Sequence, residues 1–230
     1  MNKIEIENDS LKNINIDSNI KVEYFKSENI FGINQIDIFM NNNSKLLLDI
    51  NVNIETKLNI NFNIVVNSKC DLYIVSHGNK AKIQYLFNIS GTLNLIKYNT
   101  IETLKEMFIC HLNKENSIIN YNCMSKCIKK EVLDCHMFHD CSNTISNISI
   151  KSIVNCGSYI HQLSVFIPSS IHECKSNVIS NFKNNDALTL SFRPNFYVDN
   201  DNSICNITSS FVDDINLAEG ITSKEIFEYL

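Results

Sequence analysis

Apolar and polar residues alternate along much of the first half of the chain. Two series of apolar residues each share one parity: Ile14, Ile16, Ile20, Val22 and Tyr24, and then Val52, Ile54, Leu58, Ile60, Phe62 and Ile64. The residues between them are mostly Asn, Lys, Glu and Thr. Because successive side chains of a β-strand point to opposite faces, this period of two predicts strands with one buried face.

Further apolar runs follow, and the breaks between them are short and rich in asparagine. The runs cover residues 71–75, 81–89, 144–154, 160–167, 177–182 and 188–198. Many short strands with short polar corners predict an all-β fold, which is either a sandwich or a coiled solenoid of rungs. Asparagine tolerates left-handed backbone and stacks in side-chain ladders, so it suits rung corners. No strict repeat period is visible, and the pattern alone leaves both architectures open.

Residues 100–113 are the one internal segment where helix and strand compete. Ile101, Leu104 and Phe108 have near-helical spacing, but the β-branched and aromatic content of the segment fits a strand equally well. Both interpretations stay open at this point.

The end of the chain predicts a short helix. Thr222 and Glu225 have the spacing of a capping box, and apolar residues follow on one side. The predicted organisation is therefore a β-rich core over residues 1–212 and a helical tail over residues 213–230. No linker separates the two parts.

Size and charge exclude several classes of protein. The chain has 230 residues, a mass of 26.4 kDa and a formal net charge of -5. This acidic balance argues against nucleic-acid binding, which needs clustered Lys and Arg. The start of the chain lacks the apolar region of a signal peptide, and no apolar run is long enough to cross a bilayer. We therefore expect a soluble, cytoplasmic protein.

Cysteine usage also favours a reducing compartment. The nine cysteines are odd in number and unevenly spaced, which favours free thiols over a disulfide framework. The densest group of possible metal ligands is Cys123, Cys127, Cys135 and His139, because thiolate and imidazole suit zinc and iron. Their spacing matches no standard metal motif, so core thiols are the alternative interpretation. On a strand, Cys135 and His139 would share one face.

Enzyme motifs are lacking. The chain has no Gly-rich phosphate loop, no Gly-x-Ser-x-Gly elbow and no His-Glu-x-x-His helix. Asp199 with Asp201, and Asp213 with Asp214, are paired acids that would suit glycoside hydrolysis on a β-solenoid. Solvated turn acids are the simpler interpretation, and we expect a protein without catalytic residues.

From Ser191 onward a proline, two acids, a lone cysteine, an acidic pair and Gly-Ile follow one another. This order resembles the C-terminal signature of the SufB/SufD scaffold proteins of iron–sulfur cluster assembly. In that family a proline opens a strand, paired acids end it, and a Cys-x-His pair, an acidic segment and Arg-Gly-Ile follow. The residues that match in this order are Pro194, Asp199, Asp201, Cys205, Asp213, Asp214, Gly220 and Ile221. The resemblance is good from about His139 to Ile221 and only general before that, and the family counterpart of His139 is structural. The resemblance implies a right-handed parallel β-helix closed by a short C-terminal helix.

The chain departs from the SufB/SufD pattern at several functional positions. Ile207 stands where the family has histidine, and Thr208 where SufB has glutamate. The sulfur-accepting cysteine of SufB falls near Ile179, and Glu219 replaces the arginine of Arg-Gly-Ile. Isoleucine has no group that ligates iron or relays a proton. The chain therefore looks closer to SufD, in a divergent and shortened form.

The resemblance implies a non-enzymatic scaffold subunit. It would pair with a SufB-like subunit and bind a SufC-like ABC-type ATPase through residues 213–230, in the cytoplasm or the stroma of a plastid-like organelle. A transient iron–sulfur cluster at the subunit interface is the implied cofactor, with Cys205 as the candidate ligand. Two alternatives stay open: a structural β-solenoid subunit without cluster chemistry, and an independent metal-binding protein that uses the Cys/His group. We expect no nucleic-acid or membrane partner.

Overall fold

Alternate burial is the main pattern in the strands of the central part of the molecule, although some of them also contain short runs of consecutive buried residues. The structure is a computed structural model that describes residues 1–26, 33–155 and 157–215. In the strand Thr56–Ile64 every second residue is buried, and the residues between them are partly or fully exposed. The period of two along the sequence thus becomes a strand with an inner and an outer face, as predicted.

The strands form two faces that enclose one core. Strands β7 and β8 are long, and each contributes its first half to one face and its second half to the other. In spatial order, the first face contains β2 (Ser10–Asn15), β1 (Asn2–Glu7), β5 (Lys45–Val52), β7 (Lys69–Ile89), β8 (Thr92–Leu112), β9 (Ile118–Cys127), β11 (Ile145–Val154), β13 (Lys175–Asn184) and β15 (Ile204–Phe211). The second contains β3 (Ile20–Phe25), β4 (Asn34–Met40), β6 (Thr56–Ile64), the second halves of β7 and β8, β10 (Lys130–His139), β12 (Gly157–Ile167) and β14 (Ala187–Val198).

Between the two ends of the coil, each strand pairs in parallel with the strand one turn earlier and the strand one turn later. Chain order alternates between the faces: β5 then β6, β9 then β10, β11 then β12, β13 then β14. The result is a parallel β-helix of about seven turns. The prediction of a β-helix is confirmed, and the sandwich is excluded because neighbours within a face are successive turns of one coil.

Turn length varies from coil to coil. Neighbouring outward side chains are 23 residues apart between Asp71 and Asn94, and 30 residues apart between Asn147 and Asn177. The corners absorb this difference, and the strands remain in register. This variation is why the sequence shows no strict repeat.

An aromatic column fills part of the core. Phe62, Phe87, Phe108 and Tyr121 stack in series, with ring centroids 4.7, 4.6 and 4.6 Å apart. Such pairs add roughly 0.5–1.5 kcal/mol each beyond the burial of their area. The inner face of the coil is thus stabilised along its axis as well as across it.

Asparagine occupies the tight corners between coils, as predicted. The backbone φ angle is positive at Asn42, Asn43, Asn67, Asn116 and Asn143, with values between 49° and 62°. Asparagine adopts this left-handed region more readily than most residues. At the opposite corner, Gly78 has a φ of 122°, and a Cβ there would lie 2.0 Å from the Val52 carbonyl oxygen. Only glycine fits that approach.

An outward ladder of asparagine amides joins successive coils on the first face. Each amide nitrogen donates to the side-chain oxygen of the preceding coil, over distances of 2.8 to 3.0 Å. The ladder runs through Asp71, Asn94, Asn120, Asn147, Asn177 and Asn206. The predicted stacking of asparagine side chains is confirmed.

The N-terminal end of the coil differs from the predicted alternation. β2 pairs antiparallel with β1, and β3 pairs antiparallel with β4, so both lie at the end of the coil. Ile14 is 45% exposed on β2, and Ile54 is 63% exposed in the corner after β5. Assigning these two residues to buried strand faces was wrong, because a terminal strand and a corner have no second layer to cover them.

The structure settles the assignment of residues 100–113 but not that of the C-terminal tail. The segment 100–113 lies largely in the second half of β8, and the helical alternative is wrong. Its Leu104 and Phe108 are buried because both face inward on a strand. The predicted helix after Thr222, and most of the tail 213–230, lie outside the described residues.

Candidate functional site

The last described coil leaves its interior open. β14 and β15 have no further strand paired with them in residues 157–215. The inward residues of β15 are Cys205, Ile207, Ser209 and Phe211, which lie in register with buried residues of β13. Phe211 is 71% exposed, whereas Phe182, its partner one coil earlier, is 1% exposed. The open coil therefore presents core-type side chains.

The free edge of β15 can accept another strand. Ile204 and Val212 donate their N–H groups to the carbonyls of Cys174 and Phe182, at 2.9 and 3.0 Å. Residues of a parallel ladder direct their bonding groups alternately to opposite neighbours. The N–H and carbonyl groups at positions 205, 207, 209 and 211 therefore point away from β13.

The free edge of β14 is less suited to pairing. Asp199 donates its N–H to the Ile167 carbonyl at 3.2 Å, so the nitrogen of Pro194 points to the free edge by the same alternation. Proline has no N–H to donate, and edge strands often carry it at such positions. The resemblance placed Pro194 at the start of a strand, but it lies inside β14.

Cys205 lies at this open end, on the edge strand. Its side chain faces inward, in register with Ser176 of the preceding coil, and it is half-buried. Burial raises the pKa of the Cys205 thiol, and the nearby Cys174 raises it further. The prediction of a thiol at a sheet edge is confirmed, but the thiol is not an activated thiolate, since low thiol pKa values need nearby positive charge.

His139 has a structural environment beneath this end of the coil. Its Nδ1 lies 2.8 Å from the Thr144 hydroxyl, and its Nε2 lies 3.1 Å from the Ser146 hydroxyl. Ser146 in turn donates to Ser176 at 2.9 Å. Burial lowers the pKa of His139 to about 4, so its ring is neutral at pH 7. Both ring nitrogens have hydroxyl partners, which leaves neither free for a metal ion.

The other members of the predicted metal group are core thiols. Cys123, Cys127 and Cys135 are buried and face inward, and Cys135 shares its strand face with His139 as expected. Burial raises the pKa of Cys123 to about 11. Across the described ranges, no group of three or more His, Cys, Asp or Glu side chains is arranged to hold a metal ion. The four residues therefore do not form the metal site considered above.

An ion pair lies inside the solenoid, and neither of its residues was predicted from the sequence. The Lys97 ammonium contacts the Glu106 carboxylate, and the two side chains are 0% and 2% exposed. Burial alone lowers the pKa of Lys97, but Cys123, Glu106 and Glu131 outweigh it and raise the pKa overall. Lys97 is therefore a buried cation, held by its acidic neighbours.

Glu131 is a second buried acid beside this pair. Its Oε1 accepts from the Asn99 amide at 3.1 Å, and its Oε2 has no hydrogen-bond partner. Burial raises the pKa of Glu131 to about 7, although Lys97 and Ser125 limit the rise. A proton on Oε2 would remove the cost of burying a second negative charge. The cluster of Lys97, Glu106 and Glu131 is named the buried charge cluster below.

A hydrogen-bonded series leads from this region towards the open coil. Ser125 donates to Ser152 at 3.1 Å, Ser152 donates to the Tyr159 hydroxyl at 3.0 Å, and Tyr159 lies 3.2 Å from His161 Nδ1. The ring of His161 meets that of Phe192 on β14, with centroids 5.6 Å apart. Burial, and then Lys97, lower the pKa of His161 to about 3. The polar interior thus extends to the last coil.

The alternation pattern contained a signal for the buried charge cluster. Lys97 follows Leu93 and Leu95 on the inward parity of β8, and Glu106 stands between inward Leu104 and Phe108. A charged residue at an inward position of an alternating strand indicates a buried charge. Only the fold brings the three charges together, because they lie on β8 and β10.

The paired acids have the surroundings of turn residues. Asp199, Asp201, Asp213 and Asp214 are exposed, and Asp214 pairs with Lys183 at 3.2 Å. The hydrogen bond from Lys183, and then the positive charge of Lys183, lower the pKa of Asp214. Their exposure favours the solvated-turn interpretation.

Comparisons with known proteins bring no assignment: no family model matches the chain, and no curated protein matches it. A helix long and apolar enough to span a membrane is absent from the described residues.

Proposed function

We propose that the protein is a non-enzymatic scaffold subunit of the SufB/SufD type, closer to SufD, which pairs with a second β-helical subunit. The observation that carries this proposal is the open last coil, with Phe211 exposed and the edge of β15 unpaired in residues 157–215. An exposed strand edge is a template for another strand. A partner strand on β15 would cover the open core and continue the coil.

Pairing through β15 is favoured over pairing through β14. The outward bonding groups at positions 205, 207 and 209 are all present on β15, whereas Pro194 removes one donor from β14. A partner strand would gain main-chain hydrogen bonds from β15 and apolar contacts from Ile207 and Phe211. The two contributions lie on the same strand, so one partner can make both.

Cys205 would lie at this interface, and it is the proposed ligand of a transient iron–sulfur cluster. A partner that brings positive charge or a metal ion would lower the pKa of the Cys205 thiol and favour its thiolate form. The proposed SufC-like ATPase would bind the segment that begins at Asp213 and ends at Leu230. This part of the proposal rests on the sequence resemblance.

A structural subunit without cluster chemistry is the second candidate. Ile207 replaces the histidine of the Suf pattern, and burial keeps the Cys205 thiol protonated in the isolated chain. Under this proposal β15 pairs with the same partner, but Cys205 only fills space. The two candidates share the interface and differ in the role of the thiol.

Anaerobic affinity purification of the tagged chain from its source tests the interface. We expect a second β-helical protein and an ABC-type ATPase to co-elute with the unmodified chain. Ile207→Pro removes an edge donor that the β13 ladder does not use, so we expect it to abolish co-elution, whereas Ile207→Val retains it. Recovery of the unmodified chain alone would overturn the proposal.

Cys205→Ser then separates the two candidates. Loss of iron and sulfide from the purified complex, with unchanged subunit composition, supports the ligand role of Cys205. Unchanged iron and sulfide contents support the structural role. Cys141→Ser is the matched control, because Cys141 is also partly exposed but lies in the corner before β11, two coils before β15.

A further inference from the structure

Three lysines from successive coils lie in register on the outer surface of the second face. Lys57 of β6 pairs with Lys82 of β7, and Lys82 pairs with Lys105 of β8. All three are exposed, and Lys130 of β10 lies beside this column. Neighbouring strands are about 4.8 Å apart, so the three side chains rise from a span of roughly 10 Å. These four residues are named the lysine column below.

None of the four lysines forms an ion pair with an acid among the described residues, although, after Lys80, both Lys82 and Lys57 help to lower the pKa of the nearby Glu55 carboxylate. Other lysines nearby are paired: Lys80 with Glu55 at 2.7 Å, and Lys129 with Glu102 at 2.5 Å. The whole chain has a net charge of -5, so this positive strip contrasts with the overall charge. Like charges directly opposite on neighbouring strands destabilise a sheet. A bound anion would turn that repulsion into attraction.

A shallow groove with an apolar floor follows the lysine column. Ile33, Met107 and Val132 line it together with Lys57, Lys82 and Lys105. Met107 is 37% exposed and Ile33 is 44% exposed. The groove therefore combines apolar contact area with a row of positive charge, and its occupant needs both apolar and acidic groups.

We propose that this groove binds an acidic amphipathic helix of a partner protein, lying along the solenoid axis. Acidic residues at i, i+4 and i+7 of a helix lie on one face, one per turn. The helix rises about 5.4 Å per turn, against about 4.8 Å per strand. Over two steps the mismatch is about 1 Å, which flexible lysine side chains absorb. Apolar residues beside the acids would cover Met107 and Val132.

A nucleic acid fits this surface less well. Nucleic-acid sites combine extended positive charge with aromatic or arginine stacking groups. The groove is lined by neither an aromatic residue nor arginine, and Asp134 borders it.

Fluorescence anisotropy with a labelled, lactam-stabilised helical peptide tests the proposal. The probe carries Glu at i, i+4 and i+7 with Leu between them, and its control has the same composition with the Glu residues spread around the helix. We expect the patterned peptide to bind the full chain, and the Lys82→Gln/Lys105→Gln variant to bind it about tenfold more weakly. Lys126→Gln/Lys175→Gln, with the same charge change on the other face, keeps the affinity of the unmodified chain.

Three results would overturn the proposal. They are equal binding of the patterned and control peptides, equal loss in the two double variants, and tighter binding of a single-stranded oligonucleotide that displaces the peptide. Far-UV circular dichroism and the melting temperature show that each variant is folded. The proposal does not depend on pairing through β15, because β15 belongs to the first face and the groove lies on the second.

Discussion

Lys97 and Glu106 lie nine residues apart on one strand, and their charged groups meet inside the coil. The strand β8 turns a corner between them, so Lys97 projects inward from the first face and Glu106 from the second. Both are almost fully buried. A buried ion pair is costly to form and more costly to break, so this contact ties the two faces together at the centre of the molecule.

Breaking this pair from one side will destabilise the fold strongly. Glu106→Gln leaves the Lys97 cation without its carboxylate partner, and we expect the free energy of unfolding to fall by about 3–5 kcal/mol. Equilibrium urea denaturation measures the change.

The double variant Lys97→Met/Glu106→Leu is the control for this prediction. It removes both charges and keeps similar side-chain volume, so we expect a stability within about 1–2 kcal/mol of the unmodified chain or above it. A loss in the double variant as large as that of Glu106→Gln would show that the ion pair is not the cause.

Glu131 will make stability depend on pH near neutrality. Its pKa is raised from 4.5 to about 7 in the folded chain, so the folded state holds a proton that the unfolded state releases. Its stabilising contribution is complete below pH 4.5 and is lost as the pH rises to about 7. At 1.36 kcal/mol per pKa unit, the loss is on the order of 3 kcal/mol.

Glu131→Gln isolates this contribution, because glutamine keeps the shape of the protonated acid. The facing groups Lys97, Glu106, Cys123 and Asn99 are the same in both proteins. We expect the stability difference between the two to change between pH 5 and pH 7.5, with glutamine gaining as the pH rises. Parallel stability curves over that range would contradict the prediction.

Thiol labelling will separate the cysteines by burial. Cys141 and Cys205 are partly exposed, whereas Cys110, Cys123 and Cys135 are buried and their thiol pKa values are raised. Brief iodoacetamide treatment of the folded chain, followed by peptide mapping, should modify the first two and spare the three core thiols. Rapid modification of Cys123 in the folded chain would show that the interior is open to solvent.

A substitution in the middle of the asparagine ladder will lower the free energy of unfolding more than a substitution at its end. Asn120→Ala removes the bonds to both Asn94 and Asn147, and we expect a loss of about 1–3 kcal/mol. Asn206→Ala removes one bond at the end, and the expected loss is about 0.5–1.5 kcal/mol. Urea denaturation of the two variants compares them, and equal losses would mean that the ladder bonds contribute little.

The local pattern was enough to predict the all-β class, because burial on one strand face appears directly as alternation. It also indicated asparagine at the corners, since left-handed backbone suits that residue. The pattern did not separate helix from strand at residues 100–113, where apolar residues fit both periods. The burial of Leu104 and Phe108 in β8 comes from pairing with neighbouring coils, which local sequence does not contain.

Some candidate sites could be predicted from the sequence, and others only from the fold. Cys205 is visible as a lone thiol on a strand near the end of the described core, and the structure places it there. The lysine column was missed because its members are scattered along the chain, and each is an ordinary polar residue of an alternating strand. The Cys123, Cys135 and His139 group is close in sequence, but inward packing and hydroxyl partners make these side chains part of the core.

Alternation along the chain was enough to predict the two faces of most strands, because a strand has a period of two and polar groups favour water. It failed at the exposed Ile14 and Ile54, which have no second layer to cover them. Tertiary structure alone decided which turns became neighbours, since coil length varies between 23 and 30 residues in the asparagine ladder. That register places Lys57 beside Lys82, joins Glu131 to the Lys97–Glu106 pair, and leaves the edge of β15 free among the described strands. Residues of neighbouring coils are far apart in sequence, so no local pattern of the chain shows which of them will be in contact.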